Sequence, residues 1–336
     1  MHRRALPLIV LGGAFWLGAQ VAADSQQTNP VDRFPLAKDY QPAADVGFRV
    51  VSIMSDGVRL HGELFFPRSE QERKLPTIVM ANGWGGVAAA LRPDANGFAE
   101  AGYLVILFDY RGWGESDARV VLTSPEPAGD GRFTAEVQPL RGYVDPFEQV
   151  EDWFNVIDWA AAEPMADMNR LGLRGTSFSG GHVVYVAGRD PRIKAIVSQV
   201  PSVAARPEPN AERQTPFARA ARDRATRMAR GELGYPAPYD QVLGHLIGAP
   251  VGDKLLRWWP NEEASHLTAA ALFIVAGNEE LFRNQDNGEL AFRRATGPKK
   301  LVVIPGIRHY GIYGVAREQA LSLAVDWFNQ YLQPAK

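Results

Sequence analysis

A serine hydroxyl is a useful nucleophile at neutral pH only when a base lies within hydrogen-bond reach and a carboxylate orients that base. Three stretches of this chain supply those residue types. Gly175-Thr176-Ser177-Phe178-Ser179-Gly180-Gly181 follows a run that reads as a buried strand. It is close to G-x-S-x-G, a sharp strand-to-helix turn that lifts its serine above a parallel sheet. Gly277-Asn278-Glu279-Glu280-Leu281-Phe282 follows the apolar run 271–276, and Pro305-Gly306-Ile307-Arg308-His309-Tyr310-Gly311 follows the run 301–304. Serine, then acid, then histidine is the chain order in which a strand-turn-helix site of this kind collects its partners. Each group falls just past the carboxyl end of a core strand, and the chemistry they imply is acyl transfer through a serine.

The elements that must carry these groups are legible along the chain. Residues 48–54 and 58–66 read as a hairpin closed by Ser55-Asp56-Gly57. Residues 77–81 and 103–108 read as buried strands. Between them lies a helix with Asp94 as its cap and Gly102 as its stop. Residues 111–141, rich in glycine and proline, read as a long loop. Asp145-Pro146-Phe147-Glu148 is a strong helix start, ended by Pro164. Strands follow at 171–174, 193–200, 271–276 and 301–304, with helices at 180–187 and 315–332. Strands alternating with helices predict an α/β fold, a mostly parallel sheet with helices on both faces. Residues 202–267 break the rhythm and predict a helical cap over the carboxyl ends of the strands, where such sheets bind ligands. The core is then 24–201 and 268–336.

Composition sets outer bounds. Of 336 residues, 46% are hydrophobic and 22% charged, enough to build a core without metals or disulfides. The net charge of −2 does not suggest a nucleic-acid-binding surface. His2, Arg3 and Arg4, the short apolar run 5–17 and Val21-Ala22-Ala23 read as a signal peptide cleaved after Ala23, with a short membrane anchor as the alternative. The expected location is periplasmic or secreted, with no stable membrane span after cleavage.

On these residues the chain resembles an α/β-hydrolase, of the dienelactone-hydrolase-like and prolyl-peptidase-like bacterial branch, from the first hairpin to the final helix. The resemblance implies a catalytic triad of Ser177, Glu279 and His309, with Glu280 as the alternative acid. It implies an oxyanion hole from the Phe178 N–H and, in the loop Asn82-Gly83-Trp84-Gly85-Gly86, the Trp84 N–H. Ser179 stands where the family carries a second glycine, which leaves it as an alternative nucleophile. Tyr110-Arg111-Gly112-Trp113-Gly114-Glu115-Ser116 matches a family loop that shapes the site.

The implied activity is that of a serine esterase acting on a small-molecule substrate without a cofactor. Peptidase, lactonase and carbon–carbon hydrolase use the same triad, and a non-catalytic binding protein can share the fold. Gly83, Gly85 and Ala88 after a strand, with Asp109 ending the next, also form a weak dinucleotide fingerprint. His61, His245 and His266 show no partner pattern for a metal. His182 reads as a packing residue, Trp258-Trp259 as pocket lining or a contact between insertion and core, and the seven arginines from Arg206 to Arg230 as a solvated face.

Overall fold

The protein is described by a computed structural model covering residues 34–127, 129, 131–207, 215–235 and 246–333. The expected signal segment 1–23, His245 and parts of the expected cap (208–214 and 236–245) lie outside the described residues.

Eight strands form one sheet: β1 Val46–Ser55, β2 Val58–Pro67, β3 Leu75–Ala81, β4 Leu104–Phe108, β5 Ala166–Thr176, β6 Ile193–Gln199, β7 Ala270–Ala276 and β8 Lys299–Ile304. Their order is β1-β2-β4-β3-β5-β6-β7-β8. The first hairpin is antiparallel, β2 runs antiparallel to β4, and every later pairing is parallel. Asp56 (φ 47°) and Gly57 (φ 82°) close the hairpin, the pair of positive angles that a two-residue loop needs to follow the strand twist. All residues of β3, β4 and β7 are buried, as continuous apolar strands covered on both faces must be.

Six longer helices accompany the sheet among the described residues: α1 Arg92–Glu100, α2 Pro146–Ala162, α3 Phe178–Ala187, α4 Pro216–Ala229, α5 Gly288–Arg294 and α6 Arg317–Leu332. Ala95 and Phe98 of α1 and Trp327 and Phe328 of α6 build one apolar layer. Val150 and Trp153 of α2, Val183 of α3 and Ala291 of α5 build the other. Asp145 caps α2 as expected, accepting from the Phe147 and Glu148 amides at 3.1 and 3.4 Å. Among the described residues no helix is long and apolar enough to cross a membrane.

Three expectations need correction. Asp94 does not cap α1; it lies inside the first turn, buried, where its carboxylate receives Arg174 Nη2 at 2.6 Å and Arg317 Nε at 2.7 Å. A carboxylate between two guanidiniums is held more firmly by charge-assisted bonds than by the helix amides. The expected loop 111–141 contains an antiparallel ladder, Val120–Leu122 with Val137–Pro139. The expected strand-free insertion contributes Ala249–Pro250, parallel to Tyr143–Val144. Ladders of two or three residues are too short to leave a period in sequence.

Candidate active site

Ser177 occupies the turn between β5 and α3 with φ 55° and ψ −117°, a conformation an L residue holds only when its surroundings impose it. The Ser177 amide donates to the Gln199 carbonyl at 2.8 Å, and its carbonyl accepts from Gly180 at 3.0 Å and Ser202 at 2.9 Å. β5, α3 and the segment after β6 therefore grip one residue from three sides.

The structure brings the three sequence-selected groups together. His309 Nε2 lies 3.0 Å from Ser177 Oγ, and His309 Nδ1 lies 2.8 Å from Glu279 Oε2. A carboxylate only accepts, so Nδ1 carries the proton and donates to Glu279, leaving the Nε2 lone pair to accept from the Ser177 hydroxyl. The His309 and Glu279 side chains are buried. Glu279 is steadied by the Leu281 amide, which donates to its Oε1 at 3.0 Å. Phe282 and Tyr310 stand edge-on to the imidazole, with ring centroids at 5.5 and 5.2 Å.

Glu280, the alternative acid, does not contact the imidazole nitrogens. Its Oε2 accepts the backbone N–H of His309 at 2.7 Å, and its Oε1 pairs with Arg308 Nε at 3.4 Å. Ser179, the alternative nucleophile, is fully buried and engaged with backbone. Its hydroxyl accepts from the Thr176 amide at 2.8 Å and lies 2.9 Å from the Ala81 carbonyl. The serine at this position ties the turn to β3, a bond that glycine could not make.

The loop after β3 is seated directly on this turn. A Cβ on Gly83 would fall 2.7 Å from the Thr176 carbonyl oxygen and 3.0 Å from Ser177 Cβ, so only glycine allows the approach. Asn82 braces the loop, accepting from the Gly83 amide at 2.7 Å and donating to the Val87 carbonyl at 3.0 Å. Phe178 begins α3, so its N–H is one of the helix-start amides that have no intrahelical acceptor. The rings of Trp84 and Phe178 meet edge to face at 5.3 Å, which places the two expected oxyanion residues side by side.

Beside them, His182 is buried between Phe178 and Trp258, with ring centroids at 4.8 and 5.4 Å. Burial pushes its imidazole down to about 3, so it stays neutral. Trp153 donates to the Tyr110 phenol at 2.8 Å, and that phenol lies 2.9 Å from His182 Nδ1. Trp258 of the expected insertion also meets Phe147 and Tyr185 of the core, which makes it one of the apolar contacts between the two.

The dinucleotide fingerprint does not survive in three dimensions. Asp109 is buried, and its carboxylate accepts from Ala88 at 2.6 Å and Glu115 at 3.0 Å. Burial pushes this carboxyl up to about 6, opposed by the charge of His61 and by those amides. No face of it is offered to a ribose. His61, expected to lack partners, has one: its Nε2 lies 3.0 Å from Glu63 Oε1. Residues two apart on β2 share a face, and that spacing was the available signal. Glu115 completes a group with ligand-like geometry, but Arg92 Nη2 already sits 2.6 Å from Glu63 and 3.8 Å from Glu115. A guanidinium occupies the place where these carboxylates would hold a cation.

Comparison with known proteins agrees with this architecture. Residues 56–214 match the family described as X-Pro dipeptidyl-peptidase (S15 family). A protein of Escherichia coli, called an uncharacterized 31.7 kDa protein in the traX-finO intergenic region, is 28% identical over 83% of this chain and 98% of its own length. Thiohydrolase aneE of Aspergillus aculeatus is 24% identical over 82% of this chain and 91% of its own. Polyketide transferase grgF of a Penicillium species is 30% identical over 87% of this chain and 97% of its own length. The solved structure of that protein, titled an alpha/beta hydrolase, superposes with a TM-score of 0.64 over 85% of this chain and 99% of its own, at 20% identity.

Proposed function

Because this chain belongs to the α/β-hydrolase family and is a hydrolase, we propose that it cleaves a carboxylic ester through an acyl-serine intermediate. In this reading Ser177 Oγ attacks the ester carbonyl while His309 Nε2 takes its proton. Glu279 holds the resulting imidazolium through Nδ1–H. The carbonyl oxygen, now an oxyanion, is received by the Phe178 and Trp84 N–H groups. His309 returns the proton to the departing alkoxide, and the alcohol leaves. Water then attacks the acyl-serine with His309 as base, releasing the acid and restoring the serine.

The observation that carries this reading is the unbroken chain Ser177 Oγ, His309 Nε2, Nδ1, Glu279, with contacts of 3.0 and 2.8 Å, set on a strained turn. A second reading, acyl transfer to an acceptor other than water, is supported by the relative named a polyketide transferase. A third, peptide cleavage, is supported by the S15 match, which spans Ser177 but stops before Glu279 and His309.

The test is turnover of p-nitrophenyl esters of graded chain length beside a prolyl p-nitroanilide, with and without an added alcohol or thiol acceptor. The reading expects the esters to exceed the anilide by at least about a hundredfold in kcat/KM, an activation difference of roughly 2.7 kcal/mol. It also expects free acid as the main product. Preference for the anilide would turn the assignment to a peptidase, and dominant acceptor acylation would turn it to a transferase.

A further inference from the structure

His309 heads a short turn, His309–Tyr313, whose two ends are both fastened to other parts of the site. At the near end, Glu280 Oε2 accepts the His309 amide at 2.7 Å. At the far end, the Tyr313 phenol lies 2.7 Å from Thr176 Oγ1, the side chain immediately before the nucleophile. Thr176 Oγ1 also accepts from Gln199 Nε2 at 3.3 Å, and Gln199 Oε1 accepts from Arg174 Nη2 at 3.4 Å. Arg174 and Arg317 then share the Asp94 carboxylate. Arg317 begins α6, four residues past Tyr313, so this polar path leaves the histidine segment at Tyr313 and returns to it at Arg317.

The path runs through β5 and β6, which hold Ser177, and through α1. Arg174 and Thr176 are alternate residues of β5 and share a face, Gln199 ends β6, and Asp94 lies in α1. Burial pushes the Tyr313 phenol up to about 12, so it is a neutral hydrogen-bonding group throughout the working range of the site.

We propose that Tyr313, Thr176 and Glu280 are positioning residues that clamp the two ends of the His309 turn and so set the distance from imidazole to nucleophile. The proposal rests on the hydrolase reading above. A clamp acts on the chemical step, so its loss lowers kcat at unchanged KM.

The variants are Tyr313→Phe, Thr176→Val, their double, Thr176→Ser, Glu280→Ala and Glu280→Gln, each measured for kcat, KM and the rate of Ser177 labelling by a fluorophosphonate. Expected is a fall in kcat and in labelling rate of about tenfold for Tyr313→Phe, Thr176→Val and Glu280→Ala, the worth of one hydrogen bond. The double should be no worse than the poorer single, and KM should stay within about twofold. Thr176→Ser and Glu280→Gln, which keep the oxygen, should recover most of the rate. Variants that label as fast as a reactive wild type overturn the clamp alone. So do additive losses in the double, or a Thr176→Ser as slow as Thr176→Val. A wild type that takes no label at Ser177 overturns the clamp together with the reading beneath it.

Discussion

Replacement of Ser177 by alanine is expected to lower kcat for an ester by at least about three orders of magnitude, and His309→Ala is expected to lower it as far. Both losses follow from one geometry. Without Oγ there is no nucleophile to form the acyl intermediate. Without the imidazole, the hydroxyl at 3.0 Å keeps its proton and is a poor nucleophile at neutral pH. Because the two groups act in one step, the double variant should be little worse than either single. Residual activity would come from the oxyanion amides, which neither substitution touches. The check is kcat on the p-nitrophenyl esters, with folding confirmed by circular dichroism. Near-normal turnover in folded Ser177→Ala would remove the serine from the mechanism.

The second large effect is expected at Gly175, where the damage is steric. A Cβ there would lie 2.1 Å from the Ser179 carbonyl oxygen and 2.5 Å from its carbonyl carbon. Both are backbone atoms of α3, so no rotamer change relieves the clash. Gly175 is held in β5 by its pairing with Ala81 and Ser198, so the strand cannot retreat either. The start of α3 must move, and Ser177 with it. Overpacking of this kind costs roughly 1–3 kcal/mol, and a displacement on the order of 1 Å at reacting atoms costs about a hundredfold in rate. Gly175→Ala should therefore shift the urea midpoint downward and reduce kcat together. Wild-type values for both would mean that helix and strand are not in the contact described.

Much of this was readable from the chain because the chemistry sits at the ends of regular elements. The buried strand before Gly175 and the glycines around Ser177 report the sharp turn. Glu279 and His309 each follow an apolar run that reads as a strand, and the first is the buried β7 while the second is β8 at the sheet edge, with Val303 exposed. What escaped sequence reading depends on direction or on distant partners. Glu279 and Glu280 are the same residue type side by side, and only the fold turns one to the imidazole and the other to the His309 amide. Asp94 is a residue type that helix caps favour, yet the two arginines that claim it lie 80 and 223 positions away. Ser179 differs from the expected glycine by a hydroxymethyl group whose partner across the sheet, the Ala81 carbonyl, comes within reach only when β3 and β5 are paired. The path from Tyr313 to Thr176 has no pattern at all in sequence, since each link joins a different element.

The most direct test of the central claim is the intact mass of the protein after exposure to a fluorophosphonate, with the modified residue located by peptide mapping. The account expects a single adduct on Ser177, slowed in the His309→Ala protein, since the same base must activate the serine toward phosphorus as toward carbon. An adduct on Ser179, or none on a folded protein, would contradict it.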